Sequence, residues 1–262
     1  MTQTSQRSFL RPGKLVLIFV LGAIAYLAAL VVWVPAGWLW QQAAGHVRLP
    51  PQVRVQAVSG TLWEGAALLK LQGRDVRAQW HMDWPAGTRL PLDLSLETRA
   101  SRLQGRVLAG LDGAVSVDAS GQVHVAEFED MIRQSGGAML EGDIIIDRLA
   151  ATWADNQLSQ ARGAGHWPGG LVTWPMGDDY QSTVFPAMDA NLTESAEGVS
   201  LAISAQGQQE PAAEADVLRN GMLRIRVYKR LVDLAGQSWS AAANPGDVVF
   251  RVEQPLLPGV RF

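Results

Sequence analysis

The stretch that decides the fold is Asp75–Trp84, DVRAQWHMDW. Val76, Ala78, Trp80, Met82 and Trp84 alternate with Asp75, Arg77, Gln79, His81 and Asp83. A period of two sends one row of side chains to an apolar face and the other to water, which is the pattern of a half-buried β-strand. Leu92, Leu94 and Leu96 against Asp93, Ser95 and Glu97 repeat it more cleanly.

The same alternation extends in both directions. Val53, Val55 and Ala57 oppose Arg54, Gln56 and Val58, and Gly60-Thr61 turns the chain into Leu62–Leu71. Downstream, Leu103–Ala109, Ala114–Asp118 and Gln122–Val125 read as three short strands. Glu127–Ser135 (EFEDMIRQS) has helical spacing and ends at Gly136-Gly137. Strands resume at Asp143–Trp153 and Gln157–Trp167, joined by Asp155-Asn156. Pro168–Pro186 reads as loop with one short strand at Leu171–Trp174. Ala187–Thr193 and Val199–Gln206 then flank Glu197-Gly198, and Ala212–Arg219 and Met222–Val227 flank Asn220-Gly221. Asn-Gly predicts a two-residue type I′ hairpin. Tyr228–Ala235 reads as a helix ended by Gly236, and Val248–Glu253 as a last strand.

Turn residues about every ten positions predict a mainly β, antiparallel domain with one apolar and one wet face. Ten or more strands do not stay flat, so the sheet is expected to curl into a half-barrel or fold over on itself. A weak echo links Gly60–Gly65 (GTLWEG) to Gly163–Gly169 (GAGHWPG). Duplication into lobes at 53–135 and 139–262 and chance similarity explain it equally well.

Ahead of this domain stands Leu15–Val34, twenty residues without a charge. As a helix it is roughly 30 Å long, the thickness of a bilayer's hydrocarbon core. Residues 1–14 carry Arg7, Arg11 and Lys14 and no acid, and no further Lys or Arg occurs before Arg48. That asymmetry predicts a cytoplasmic tail at 1–14, a span at 15–34, a linker at 35–52 and an exported domain at 53–262. The linker is expected to hold one or two helical turns between Trp38 and Val47. A cleaved signal peptide is the competing reading; the apolar run exceeds the 7–15 residues usual for one, and Trp33, Trp38 and Trp40 crowd the cut site.

With the three basic residues of the tail removed, 19 basic residues face 25 acidic ones, a net charge of −6. Such a domain lacks the basic footprint of a nucleic-acid binder. The chain has no cysteine, which excludes disulfides, thiol catalysis and thiolate zinc sites. Of ten tryptophans, those at 33, 38 and 40 suit a membrane exit. Those at 63, 80, 84, 153, 167, 174 and 239 are expected as large anchors in the sheet core, with a carbohydrate- or lipid-binding stripe as the alternative.

No motif carries catalysis. His46, His81, His124 and His166 lie far apart without metal-ligand spacing, no serine sits in a G-x-S-x-G elbow, and the glycines do not form a dinucleotide loop. Asp178-Asp179 and the Glu141/Asp143 pair read as solvated turn acids. A hydrolase would need a carboxylate cluster assembled by the fold.

Val58–Gly65 (VSGTLWEG), shortly after a single span and followed by Val76–Trp84, resembles the type II secretion system protein N family; Gly163–Val172 resembles its second half. The resemblance implies an inner-membrane protein with a periplasmic domain, a non-catalytic scaffold of the machine that moves folded proteins across the outer membrane. Its expected partners are other secretion subunits and the membrane, and it implies no cofactor. Gly60, Thr61, Leu62, Trp63 and Gly65 match the motif and are expected to carry the fold and an interface. The alternative function is a lipid- or glycan-handling groove, in which Trp80, Trp84, Leu92, Leu94 and Leu96 line an open trough instead of a closed core.

Overall fold

A computed structural model describes residues 33–46, 53–71, 73–85, 87–134, 137–154, 157–177, 179–240 and 242–255. The expected span at 15–34 lies outside the described residues except for Trp33 and Val34. Among the described residues no helix is long and apolar enough to cross a membrane.

The chain enters through a short helix, α1 (Ala36–Ala43), whose first residue is buried. Six strands follow as a meander: β1 (Val53–Gly60), β2 (Glu64–Leu71), β3 (Arg74–Met82), β4 (Arg89–Glu97), β5 (Arg102–Gly110) and β6 (Val115–His124). A 3₁₀ turn (Val125–Phe128), helix α2 (Glu129–Gln134) and the two-residue strand β7 (Met139–Leu140) lead to β8 (Asp143–Ala154) and β9 (Gln157–Trp167). The hairpin β10 (Gly170–Met176) and β11 (Asp179–Phe185) precedes β12 (Met188–Ser195), β13 (Gly198–Ala205), β14 (Ala213–Leu218) and β15 (Met222–Tyr228). Helix α3 (Lys229–Leu234) and β16 (Val248–Pro255) complete the chain.

Thirteen strands form one antiparallel sheet in the order β1-β2-β3-β4-β5-β6-β8-β9-β12-β13-β14-β15-β16, and β11-β10-β7 form a second, small sheet. The alternation seen in the sequence becomes a continuous register. Gly60 faces Gly65, Gly65 faces Trp80, and Trp80 faces Leu94. The row continues through Gly105, Ala119, Leu149 and Gly163. It then runs through Leu192, Leu201, Ala215, Ile225 and Val252. Paired residues share a face, so this face is apolar across all thirteen strands. The neighbouring register on the opposite face reads Glu64, His81, Asp93, Arg106 and Asp118.

Because every ladder is antiparallel, the sheet has two distinct ends. One, the Gly60 end, carries the connections 61–63, 83–88, 111–114, 196–197 and 219–221. The other, the His124 end, carries all three long insertions: 125–142, 168–187 and 229–247. At this end lies the cluster of buried residues, Val172 and Phe185 of the second insertion with Trp167, Met188, Ala205 and Ala212 of the large sheet and its connections, against which Leu140, Trp174, Ile203, Leu231, Leu234 and Ala235 pack. Elsewhere contacts run almost wholly between neighbouring strands. Among the described residues no large side chain is fully buried.

Four expectations change. The runs at 114–118 and 122–125 are one strand, β6, bridged by a register shift between Ala119 and Gly121. The extra residue of that bulge lies on β8, between Ile146 and Leu149, so β6 itself runs on unbroken and stays paired with β5 throughout. The stretch 168–186 is a full hairpin, Gly170 pairing with Phe185 through to Met176 with Asp179; its ladder forms despite the Gly and Pro content because β7 pairs on its other edge. The Asn220-Gly221 turn has three residues, 219–221: the Gly221 N–H donates to the Leu218 carbonyl at 2.9 Å and Gly221 has φ +79. A type I turn closed by a left-handed glycine fits this loop. Finally, the tryptophans do not make a common core. Only Trp167 is buried, while Trp84, on the β3–β4 connection, and Trp239, in the insertion before β16, are exposed because neither sits on a strand of the sheet.

Candidate functional site

The motif Gly60–Gly65 is the place where the chain arriving from residue 34 is fastened to the sheet. Thr61 forms an antiparallel bridge with Pro35, and the Leu62 N–H donates to the Val34 carbonyl at 3.3 Å. The turn closes on itself: the Thr61 N–H donates to the Glu64 carbonyl at 2.8 Å, and the Glu64 N–H donates to Thr61 Oγ1 at 3.2 Å. Gly60 takes φ +88, and a Cβ there would stand 2.4 Å from the Glu64 carbonyl oxygen. Only glycine fits such a position.

The next strand holds the turn from behind. Trp80 Nε1 donates to the Leu62 carbonyl at 3.1 Å, and the Met82 N–H donates to the Trp63 carbonyl at 2.6 Å. Trp63 stacks on Trp84, with ring centroids 5.0 Å apart and planes at 28°. Gly65 gives the Trp80 indole its room: a Cβ on Gly65 would lie 2.3 Å from Trp80 Cζ2. Thus the five motif residues are brought together, with Trp80 and Trp84 added by the fold. Their partners, Val34 and Pro35, are not signalled by the motif itself. A signal existed in the direct passage from the apolar run into a proline followed by a short helix.

The second feature is a cavity of about 1280 Å³ walled by strands β1 to β6 and β8. Its lining pairs Gln79, Ser95, Gln104 and Ser120 in one register and His81, Asp93 and Asp118 in another, with Trp80, Leu94, Gly105 and Ala119 between them. The next apolar-face rows, such as Ala78–Leu96 and Leu92–Val107, do not line it. A cavity that touches two rows of one face, and only the intervening row of the other, opens on the first. It is therefore a polar trough. Leu92, Leu94 and Leu96 are half-buried on the opposite face, and Trp84 lies off the strand.

Charges on the polar face are paired across strands. Arg106 grips Asp93 through two bonds, 2.6 and 2.8 Å, and the hydrogen bond from Arg106 holds the Asp93 carboxyl below its ordinary value. Farther along, Arg226 Nη2 lies 2.8 Å from both Glu214 and Asp216, and the Tyr228 hydroxyl donates to Glu214 at 2.5 Å. Burial, with the adjacent Glu214, pushes the Tyr228 hydroxyl up to about 12. Tyr228 therefore stays protonated at neutral pH and serves as a donor. Three of the four histidines each meet one carboxylate, His124 with Asp143 at 2.6 Å, His166 with Asp147 at 3.1 Å and His81 with Asp83 at 3.4 Å, while His46 lies 3.4 Å from the Gln42 carbonyl oxygen. Among the described residues no group of three or more His, Asp or Glu could hold a metal ion.

At the His124 end, Glu127 ties the 3₁₀ turn to the β4–β5 connection. Its carboxylate accepts from Thr98 Oγ1, from Ser101 Oγ at 2.5 Å and from the Ala100 N–H at 2.8 Å. Ser101 Oγ also accepts from the His124 N–H at 2.9 Å, and Ser101 is buried.

No curated protein and no solved structure matches the chain. The family described as type II secretion system (T2SS), protein N, matches residues 51–243, from just before β1 to beyond α3. That match spans the turn at Gly60–Gly65 and most of the thirteen-stranded sheet, and the chain belongs to the type II secretion system protein N family.

Proposed function

We propose that the protein is an accessory scaffold subunit of the type II secretion system, anchored in the inner membrane by residues 15–34 with its sheet domain in the periplasm and its first fourteen residues in the cytoplasm. It supports export of folded proteins across the outer membrane without catalysing a reaction. The family match over residues 51–243 carries this reading. The fastening of Val34 and Pro35 to Leu62 and Thr61 supports it, because a scaffold needs its anchor tied firmly to the domain it positions. The sheet would curl toward its polar face, a reading supported by one cavity drawing its wall from seven successive strands. The lobes at 53–135 and 139–262 would share that sheet, since β6 pairs with β8 across the division. Its edges, β1 and β16, are each paired on one side only among the described residues and would offer backbone groups to other subunits. Crosslinking in actively secreting cells, followed by precipitation of this chain, is expected to recover other components of the secretion machine. Recovery of none would remove the scaffold reading.

A second reading, a ligand groove, is favoured by the polar trough. Its lining of Gln, Ser, Asp and His suits a glycan or another polar chain better than an acyl chain. Native mass spectrometry of the protein extracted in mild detergent is expected to show a polar adduct under this reading. A lipid adduct, or none, would count against it.

A further inference from the structure

We propose that the Gly60 end of the sheet is seated in the interfacial layer of the bilayer, with the tips of successive hairpins dipping into the headgroups. This rests on the reading of residues 15–34 as a span and goes beyond it, since a tether alone does not require the domain to touch lipid. The chain outside the described residues fixes which end faces the membrane. The apolar run finishes at Val34, and Val34 and Pro35 are bonded directly to the β1–β2 turn. No slack separates a helix leaving the membrane from the Gly60 end. The sheet therefore begins where the hydrocarbon ends.

That same end carries exposed apolar side chains on consecutive connections. Trp33, beside the junction, is 78% exposed. Trp84, on the β3–β4 connection, is 72% exposed, and Leu111, on the β5–β6 connection, is 87% exposed. Trp153 and Leu158, near the β8–β9 connection, face each other across the ladder and are also exposed. Single exposed apolar residues are ordinary on a protein surface. Three neighbouring hairpins presenting them at one end, next to the exit of a hydrophobic run, form a pattern that matches an aromatic belt. Indole rings favour the headgroup layer because one edge is apolar and the N–H remains hydrogen-bonded. Asp83 and Asp112, on the same connections, keep the insertion shallow, since a carboxylate does not enter hydrocarbon. The His124 end also exposes apolar side chains, Met131, Met176, Tyr180, Val184 and Trp239 on its three insertions, so the junction at Val34 and Pro35, and not exposure alone, assigns the Gly60 end to the membrane.

The native chain lacks cysteine, so single labels can be placed cleanly. Full-length Trp84→Cys, Leu111→Cys and Val184→Cys variants, each carrying a small fluorophore, are reconstituted into phosphatidylethanolamine–phosphatidylglycerol vesicles. Fluorescence at 84 and 111 is expected to be quenched by brominated lipid and largely spared by aqueous iodide, whereas the label at 184 shows the reverse. Leu111→Cys guards against a folding effect at Trp84, which stacks on Trp63. Carbonate extraction of the same vesicles tests the span separately. Labels at 84 and 111 quenched by iodide as fully as at 184, on a chain that resists carbonate, overturn the seating and leave the anchor standing. A chain stripped by carbonate overturns the anchor, and the seating with it. Protection of 84 and 111 that requires other secretion components assigns the surface to a protein partner and also overturns the proposal.

Discussion

Gly65→Leu is expected to destabilise the domain by about 3 kcal/mol, the upper part of the range for forcing volume into a packed site. The new Cβ would meet Trp80 Cζ2 at 2.3 Å, Trp80 Cε2 at 2.8 Å and the Ser59 carbonyl oxygen at 2.6 Å. None of these can retreat cheaply. The Ser59 carbonyl belongs to the β1–β2 ladder, where Ser59 faces Ala66. The indole is held by its Nε1 donor bond to the Leu62 carbonyl. Moving the ring breaks that bond, and moving the strand opens the turn that fastens Val34 and Pro35. The damage is thus local to the hairpin and general for the anchor, because the chain from the membrane loses its seat. The full-length protein in detergent is expected to show a lower urea midpoint and faster proteolysis near residues 60–65. Gly246→Leu, at a position where a Cβ meets nothing within 4 Å, is the control expected to leave both unchanged. An unchanged midpoint for Gly65→Leu would mean that the Trp80 ring does not lie where this account needs it.

The contrast between these two glycines shows how far the sequence could be read. A period of two needs only neighbours along the chain, so 75–84 and 92–97 announced β3 and β4, and the motif at 60–65 announced a turn. What the turn touches depends on β3 folding back with Trp80 opposite Gly65, and no spacing within the motif states that register. β6 was obscured for a related reason: Ala119, Ser120 and Gly121 are too small to show an apolar-polar contrast, while the unbroken ladder to β5 carries the strand through. The hairpin at 170–185 was obscured by its glycines and prolines, whose turn preferences are overridden once β7 supplies an edge. The tryptophans were misjudged because the size of a side chain says what it would gain by burial, and only the layer opposite decides whether burial is available. Trp84 falls on the β3–β4 connection, off the sheet, and remains in the open with one face against Trp63.

Glu127→Ala is expected to cost about 2 kcal/mol and to change how the protein responds to acid. The wild-type carboxylate accepts hydrogen bonds from the Thr98 and Ser101 hydroxyls and the Ala100 N–H, and it joins the first residues after β6 to the β4–β5 connection. Removing it leaves the buried Ser101 hydroxyl without its acceptor, and an unsatisfied buried donor carries the full cost of its lost hydration. Burial alone would raise the Glu127 carboxyl; the hydrogen bonds from Ser101, Thr98 and Ala100 outweigh it and hold the group below its ordinary 4.5. A carboxyl lowered in the folded state contributes stability that is fully present above 4.5 and is lost as pH falls through the lower folded value. The wild-type urea midpoint should therefore fall more steeply below pH 4.5 than that of Glu127→Gln, with the two curves converging in strong acid. Asp93 is lowered as well, but its bond to Arg106 is exposed and weakens with salt. Repeating the titration in high salt separates them: the difference between wild type and Glu127→Gln persists if the Glu127 junction is its source. Parallel acid profiles for the two proteins would show that the carboxylate does not hold the β4–β5 connection in place.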